Sequence, residues 1–303
     1  MLKKLLETNK LRNNDYHEEN QYLNLIDHIL LENNKFYGRN GNTIAIFGAA
    51  LHFSLHDFTI PLLTTKKLAW KTCLRELLWF IKGQTSNHIL NQQNVHIWDA
   101  NSSKEFLDSR GLDYNPGDIG PGYGFQWRFF NAPYIDCNTD YSNLGVDQLQ
   151  YIIDSLKDPN KRNSRRLILT AWNPSQLDKM ALPPCHLLAQ FNVFNNILSC
   201  SLYQRSADVG LGLPFNIASY SFLTHLLAHH CGLLPGDFYH YLGNTHIYDD
   251  HIDNLIIQRN RTPIEFPKIK INKLFTDINQ YTENNFEIID YNFHSNLFLN
   301  MRQ

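Results

Sequence analysis

Leu182-Pro-Pro-Cys-His-Leu-Leu-Ala-Gln-Phe-Asn-Val-Phe-Asn-Asn-Ile-Leu-Ser-Cys-Ser-Leu-Tyr-Gln-Arg-Ser206 holds two alternating runs, Leu187 to Val193 and Ile197 to Gln204. Alternation predicts strands. Asn195-Asn196 joins them, and asparagine tolerates the positive φ of a two-residue hairpin turn. Counting outward from that turn opposes Cys185 to Ser206 and His186 to Arg205. Pro183 and Pro184 cannot donate ladder hydrogen bonds, so Cys185 stands at a fixed strand end. A bulge or the Pro-Pro bend would exchange the faces here.

A lone cysteine is more often a packed core thiol than a reagent. This one has Gln204-Arg205-Ser206 beside it, and Arg165-Arg166 stand at the rim of the apolar run Leu167 to Trp172. An unperturbed thiol, with a pKa of ~8.5, is mostly protonated at neutral pH, and nearby cations lower it to roughly 3.5–7.5. The cluster predicts a nucleophilic thiolate or an anion site, since arginine forks suit phosphate better than lysine does. A solvated strand end is the plainer alternative for the arginine pair.

Residues 15–32 carry a helical face of Tyr22, Leu25, Ile26, Ile29 and Leu30. A strand is expected at 43–53, and a helix at 67–81 closed by Gly83. The glycines and prolines of 101–122 read as one long loop, and Val146, Leu149, Ile152, Ile153 and Leu156 as a further helix ended by Asp158-Pro159. Strands at 165–172, 187–193 and 197–204 precede a helix at about 217–231, a strand at about 237–246, a short helix and terminal strands. Strands and helices interleave, but not as regular βαβ units. The expected class is α/β of the α+β type, a mixed or antiparallel sheet with packed helices.

The 303 residues contain no repeat, linker or low-complexity block, and read as a single domain, 1–303. A formal charge of −2 argues against bulk attraction to nucleic acid or anionic lipid. No segment reaches ~18 apolar residues, and the first residues lack the apolar core of a leader. Five cysteines, an odd number without Cys-x-x-Cys spacing, suit free thiols in a reducing cytoplasm.

Asp208-Val-Gly-Leu-Gly-Leu-Pro-Phe-Asn216 is a glycine-punctuated loop opening onto a helix, where Asn216 is a candidate N-cap. Neither the dinucleotide nor the P-loop glycine pattern occurs. His246 and Tyr248 are two apart near a strand end and share a face. His225 and His229 have i, i+4 spacing, but no metalloprotease glutamate accompanies them, so they read as structural and no metal is expected.

Together these segments carry a resemblance. Leu182-Pro-Pro-Cys-His, Gln190-Phe191, Tyr203-Gln-Arg-Ser, Asp208, Leu211-Gly-Leu-Pro-Phe-Asn-Ile-Ala-Ser-Tyr220 and His246-Ile-Tyr248 resemble thymidylate synthase. So do Glu76-Leu-Leu-Trp-Phe80, Ile97-Trp-Asp99, Tyr123-Gly-Phe-Gln-Trp-Arg128 and Ser164-Arg-Arg166, over a match from about residue 17 to the end. The resemblance implies that family's fold, a sheet-to-sheet homodimer, and conversion of dUMP to dTMP. Methylene-tetrahydrofolate would be co-substrate, giving both the one-carbon unit and the hydride. Attack of Cys185 at pyrimidine C6 would make C5 nucleophilic, and donors around O4 would stabilise the enolate.

By the same resemblance, Arg39, Arg205 and Ser206 correspond to phosphate ligands, and Arg165 and Arg166 to a pair reaching in from the other subunit. Asn216 corresponds to the reader of the uracil edge, and His246 and Tyr248 to ribose ligands. Asp208, Leu211, Gly212, Phe215 and Trp98 correspond to the pterin site. Glu76 and Tyr123 correspond to the groups that manage proton transfers, with His186 supporting their water network. Gly122, Asn244 and the polar end Arg302-Gln303 depart from the family pattern. With that tail, the expectation is closure through the Gln303 carboxylate, with Arg302 turned to solvent. A pyrimidine-nucleotide hydroxymethylase of the same fold is the alternative, and Asn216 argues against its cytosine-using form. A non-catalytic nucleotide- or RNA-binding relative is more remote, because the nucleophile and arginine set is complete and no RNA-module pattern accompanies it.

Overall fold

The computed structural model describes residues 17–38 and 41–302. Arg39 and Gln303, and with Gln303 the expected carboxylate anchor, lie outside the described residues.

Helix α1 (Asn20–Glu32) leads into a hairpin of β1 (Lys35–Gly38) and β2 (Gly41–Ser54). Helices α2 (Trp70–Ile81), α3 (Asn87–Asn91), α4 (Lys104–Ser109), α5 (Gly124–Phe129) and α6 (Gln148–Lys157) follow. Then come β3 (Ile168–Thr170), β4 (His186–Phe194), β5 (Ile197–Asp208), α7 (Gly212–Cys231) and β6 (Leu234–Tyr248). The chain ends with α8 (Ile252–Arg259) and the small hairpin β7 (Lys268–Ile271) and β8 (Phe286–Ile289). The main sheet runs β1-β2-β6-β5-β4-β3. Only β5 and β6 pair in parallel, which makes the sheet mixed.

The parallel pair exists because α7 carries the chain back across the sheet. That helix is buried on nearly all sides, so it has no polar stripe. Its hydroxyls are satisfied within the helix: Ser221 Oγ donates to the Ile217 carbonyl and Thr224 Oγ1 to that of Tyr220. Against it lie the inner face of the sheet and α2, whose Cys73, Leu74, Leu77 and Leu78 face inward. Fully burying such side chains stabilises by about 1.5–3 kcal/mol each. No helix among the described residues is long and apolar enough to cross a membrane.

The hairpin turn has the expected form, with Asn195 and Asn196 at φ 49° and 63°. Its register holds through Leu188↔Tyr203, then slips at a bulge between His186 and Leu188. His186 therefore opposes Gln204 rather than Arg205, and the Cys185 carbonyl accepts from the Arg205 amide rather than facing Ser206. One residue absorbed by the bulge corrects both pairings. The stretch 101–122 is not one loop, because it contains α4, capped by Ser103 Oγ accepting from the Phe106 amide. Helix α7 starts at Gly212, earlier than the expected start near 217, so Asn216 lies inside it and is not its cap.

Candidate active site

Cys185 sits at the mouth of β4, where its amide donates to Tyr123 Oη at 3.0 Å. Arg205 lies alongside on β5, its Nε and Nη2 donating to the Pro184 and Pro183 carbonyls at 2.8 and 2.9 Å. Its guanidinium is 5.7 Å from the Trp172 ring centroid. Burial pushes the Cys185 thiol up. Arg205 and Tyr123 pull it back, but in the single chain it stays above its ordinary value. The expected lowering by arginine is thus outweighed by desolvation. Arg165 and Arg166 do not contribute here: they are exposed ahead of the edge strand β3.

Tyr123 is brought to the thiol by a tight helix approach. A Cβ at Gly124 would fall 2.3 Å from the Phe80 carbonyl oxygen, so only glycine lets α5 close on α2. The turn leaves Tyr123 at φ 36°, ψ −100°, an uncommon conformation for a side-chain-bearing residue. Its ring lies 4.9 Å from Phe80 and 4.5 Å from His186. His186 Nδ1 is 2.9 Å from Tyr220 Oη, and burial pushes its imidazole down to about 3, so the ring is neutral. On α2, Glu76 accepts a 2.7 Å hydrogen bond from Trp98 Nε1. Burial pushes the Glu76 carboxyl up to about 7, against the pull of that hydrogen bond.

The parallel ladder supplies the other wall. Ser206 opposes Asn244 and Asp208 opposes His246. His246 Nδ1 lies 2.9 Å from Asn244 Oδ1, and the His246 and Tyr248 rings meet edge-on at 5.2 Å. Burial pushes Asp208 up, but His251, His246 and the Gly210 amide outweigh it and hold the carboxyl below its usual range. Asn216 faces this wall from the start of α7. Leu211 and Phe215 line a cavity of about 370 Å³ with Leu297 and Leu299 of the carboxyl tail. A larger cavity, about 960 Å³, lies at the far end of α7 among Phe58, His229, Leu234 and Ile289, and none of the expected site residues line it.

Arg302 stays at the surface, as expected, and pairs there with Asp249 and Asp250, its guanidinium 5.8 Å from the Tyr248 ring. The Asn300 carbonyl is 2.7 Å from His251 Nε2, and His251 Nδ1 is 3.7 Å from Asp208. His225 and His229 meet the Thr59 and Lys273 carbonyls, which gives both a structural partner.

The sequence model of the family described as thymidylate synthase matches residues 20–302. The chain belongs to the thymidylate synthase family. It is 51% identical over 287 residues to the thymidylate synthase of Homo sapiens, across 94% of this chain and 91% of that protein. Identity to the thymidylate synthase of Human herpesvirus 8 type P (isolate GK18) is 49%, across 94% of this chain and 84% of that protein. The bifunctional dihydrofolate reductase-thymidylate synthase of Zea mays is 48% identical across 95% of this chain, which spans 55% of that longer protein.

Within this thymidylate synthase framework, Gln204 was placed beside Cys185 without a role, and three further polar residues at the site escaped reading from sequence. Gln204 sits inside the quoted hairpin, and alternation could have placed it on the buried face opposite Arg205. His240, two residues along β6 from Leu242, the ladder partner of Gln204, is buried as well. Lys66 donates to the Gly210 carbonyl, and burial pushes its amine down to about 8 against Asp208 and Glu19. His251 joins Asp208 to the tail. The last two come together only through long-range packing, and no local spacing marks them.

Proposed function

We infer that the chain methylates dUMP to dTMP, with methylene-tetrahydrofolate as donor of the one-carbon unit and the hydride. Family membership supports the reaction. The observation that carries the site is a half-buried thiol, Cys185, between a tyrosine hydroxyl and an arginine, with a carboxyl poised near neutrality on the neighbouring α2.

The Cys185 thiolate adds to C6, breaking the C5–C6 double bond and passing charge to O4. Carbon 5 then attacks the folate methylene. Loss of the C5 proton expels tetrahydrofolate, whose hydride reduces the exocyclic methylene as the thiol leaves. Glu76, near half-protonation at pH 7, is suited to moving protons at the O4 side, with Tyr123 as the second proton-handling group. Arg205, Ser206 and Arg39 bind the phosphate, which adds negative charge beside Arg205. His246 and Tyr248 hold the ribose, and Asn216 reads the base. Trp98, Asp208, Leu211, Gly212 and Phe215 hold the pterin side, and the tail covers it so that water does not capture the methylene. No step asks for a metal.

The working unit is a homodimer of single-domain chains with shared sites. Tyr203 and Tyr241 are cross-strand neighbours on the outer sheet face and exposed, as is Phe47, leaving an aromatic face suited to burial against a second copy. Arg165 and Arg166 would then enter the partner's site.

Cys185→Ser should lose tritium release from C5-labelled dUMP by about a thousand-fold or more while still binding dUMP, because the hydroxyl is a far weaker nucleophile. Mixing it with inactive Arg166→Ala subunits should restore part of the activity, since one site of each heterodimer is intact. Wild-type turnover in the serine variant would remove Cys185 from the mechanism. No recovery despite demonstrated subunit exchange would place Arg166 in its own subunit's site.

A further inference from the structure

Behind Asn216 runs a chain of hydrogen bonds that ends in a buried histidine. Gln204 points inward from β5, and its Nε2 donates to the Ser206 carbonyl at 2.8 Å and to Asn216 Oδ1 at 2.9 Å. His240, on the neighbouring β6, is fully buried with Nε2 2.8 Å from Gln204 Oε1. The direction of every link follows from one fixed point. A backbone carbonyl only accepts, so the Ser206 oxygen decides which end of the Gln204 amide carries nitrogen. Oε1 therefore faces His240, and His240 must be the donor. Burial pushes its imidazole down to about 3, so the ring is neutral and has one N–H to give. That proton is on Nε2. The other nitrogen, Nδ1, is buried without a hydrogen-bond partner among the described residues. A buried orphan acceptor is a standing cost, and the ring accepts it to point its proton at Gln204.

At the other end, Asn216 Oδ1 is held toward Gln204, and its Nδ2 has no partner among the described residues. This matters for recognition of a base. Uracil presents an accepting O4 beside a donating N3–H, whereas cytosine presents a donating amino group beside an accepting N3. A primary amide matches either edge, depending on which way round it stands. Turned end over end, Asn216 would set its NH₂ against the Gln204 NH₂. Gln204 cannot turn to relieve that clash, because it would then oppose oxygen to the Ser206 carbonyl and nitrogen to the His240 N–H.

We propose that His240 is a positioning residue for base selection: through Gln204 it locks the sense of the Asn216 amide, and so favours a uracil edge over a cytosine edge. The inference rests on the reading of Asn216 as the group that meets the base. His240 itself touches no ligand and acts two hydrogen bonds away.

The test compares dissociation constants for dUMP and dCMP. His240→Phe keeps an aromatic ring and removes the donor, so the preference for dUMP should fall about tenfold or more, the scale of one misdirected hydrogen bond. His240→Gln, which keeps an N–H within reach, should stay within a few-fold of wild type. A purely structural loss would weaken both ligands together and leave their ratio alone. A folded His240→Phe protein with the wild-type ratio overturns the proposal. Asn216→Asp separates the two levels. If it relaxes the ratio and His240→Phe does not, only the relay fails; if it too leaves the ratio unchanged, the reading of Asn216 fails and takes the relay with it. Should His240→Phe not fold, ¹⁵N NMR of the wild-type protein decides: a proton on His240 Nε2 supports the relay, and one on Nδ1 overturns it.

Discussion

Two glutamates within the fold have opposite surroundings. Glu19, at the start of α1, is fully buried and accepts four hydrogen bonds: from the Thr64 amide and hydroxyl at 2.8 and 2.6 Å, and from the Thr65 amide and hydroxyl at 2.9 and 2.5 Å. Glu76 has one donor, the Trp98 indole at 2.7 Å, and burial pushes its carboxyl up to about 7. A buried charge is tolerable when donors replace its water. Glu19 has that replacement and ties α1 to the segment before α2. Glu76 lacks it, so it can keep or lose a proton near neutral pH. If Glu76 handles protons as proposed, the number of donors, and not burial, is what separates the two carboxyls.

The sharpest test of that contrast is Glu76→Gln. Methylation should fall by about 10²–10⁴-fold, the usual range for a proton-transfer group, with melting little changed at acid pH and raised at neutral pH. In the wild type the rate should fall on the acid side with an apparent pKa near 7, where Glu76 takes up its proton. Stability has the opposite sign. A carboxyl held above its ordinary 4.5 binds its proton more tightly in the fold, so its contribution is present below that pH and lost as pH rises through about 7. Urea unfolding across pH 4–8 should show this slope in wild type but not in Glu76→Gln. Unaltered turnover in that variant would erase the distinction.

Glu19→Gln should behave in the converse way. Its amide NH₂ would face donors, so stability should drop by about 2–4 kcal/mol, while activity per folded molecule survives. Thermal melts beside active-site titration would read both, and a large loss of turnover without loss of stability would reverse the assignment. The smallest effect concerns a surface carboxylate pair. Arg302→Gln frees Asp249 and Asp250 of their cation, and exposed ion pairs are weak. The KM for folate should rise about two- to five-fold at low ionic strength, and the gap should close in ~0.5 M salt as screening removes the pairs from wild type too. A gap that persists in salt would mean that Arg302 acts by packing on Tyr248.

The hairpin at 187–204 was legible because alternation and an Asn-Asn turn are local properties, and its position brought Arg205 beside Cys185. The slip at His186 was not, since a bulge depends on how Pro183 and Pro184 enter the sheet. Helix α4 hid among turn residues because six residues carry too little periodicity to outweigh the flanking glycines. The motifs around Cys185, Asn216, His246 and Tyr248 pointed to the family through their order along the chain. The supporting pairs escaped notice, because Gln204 with His240 and Lys66 with Gly210 are joined only by tertiary packing. The ion pairs of Arg302 escaped notice for a related reason: its aspartates lie some fifty positions upstream, and nothing in the tail itself announces them.

The hydroxyl of Tyr123 holds the Cys185 amide at 3.0 Å while its ring packs on His186 and Phe80. On the proposed mechanism the phenol would be both a reagent and part of the frame that sets the height of the thiol. Removing the oxygen in Tyr123→Phe confounds two variables. Proton handling is lost, and a main-chain N–H beside the thiol is left without an acceptor, free to tilt the strand end. A rate deficit in that variant is a composite, and a crystal structure of the mutant must accompany the kinetics before any part of it is ascribed to chemistry.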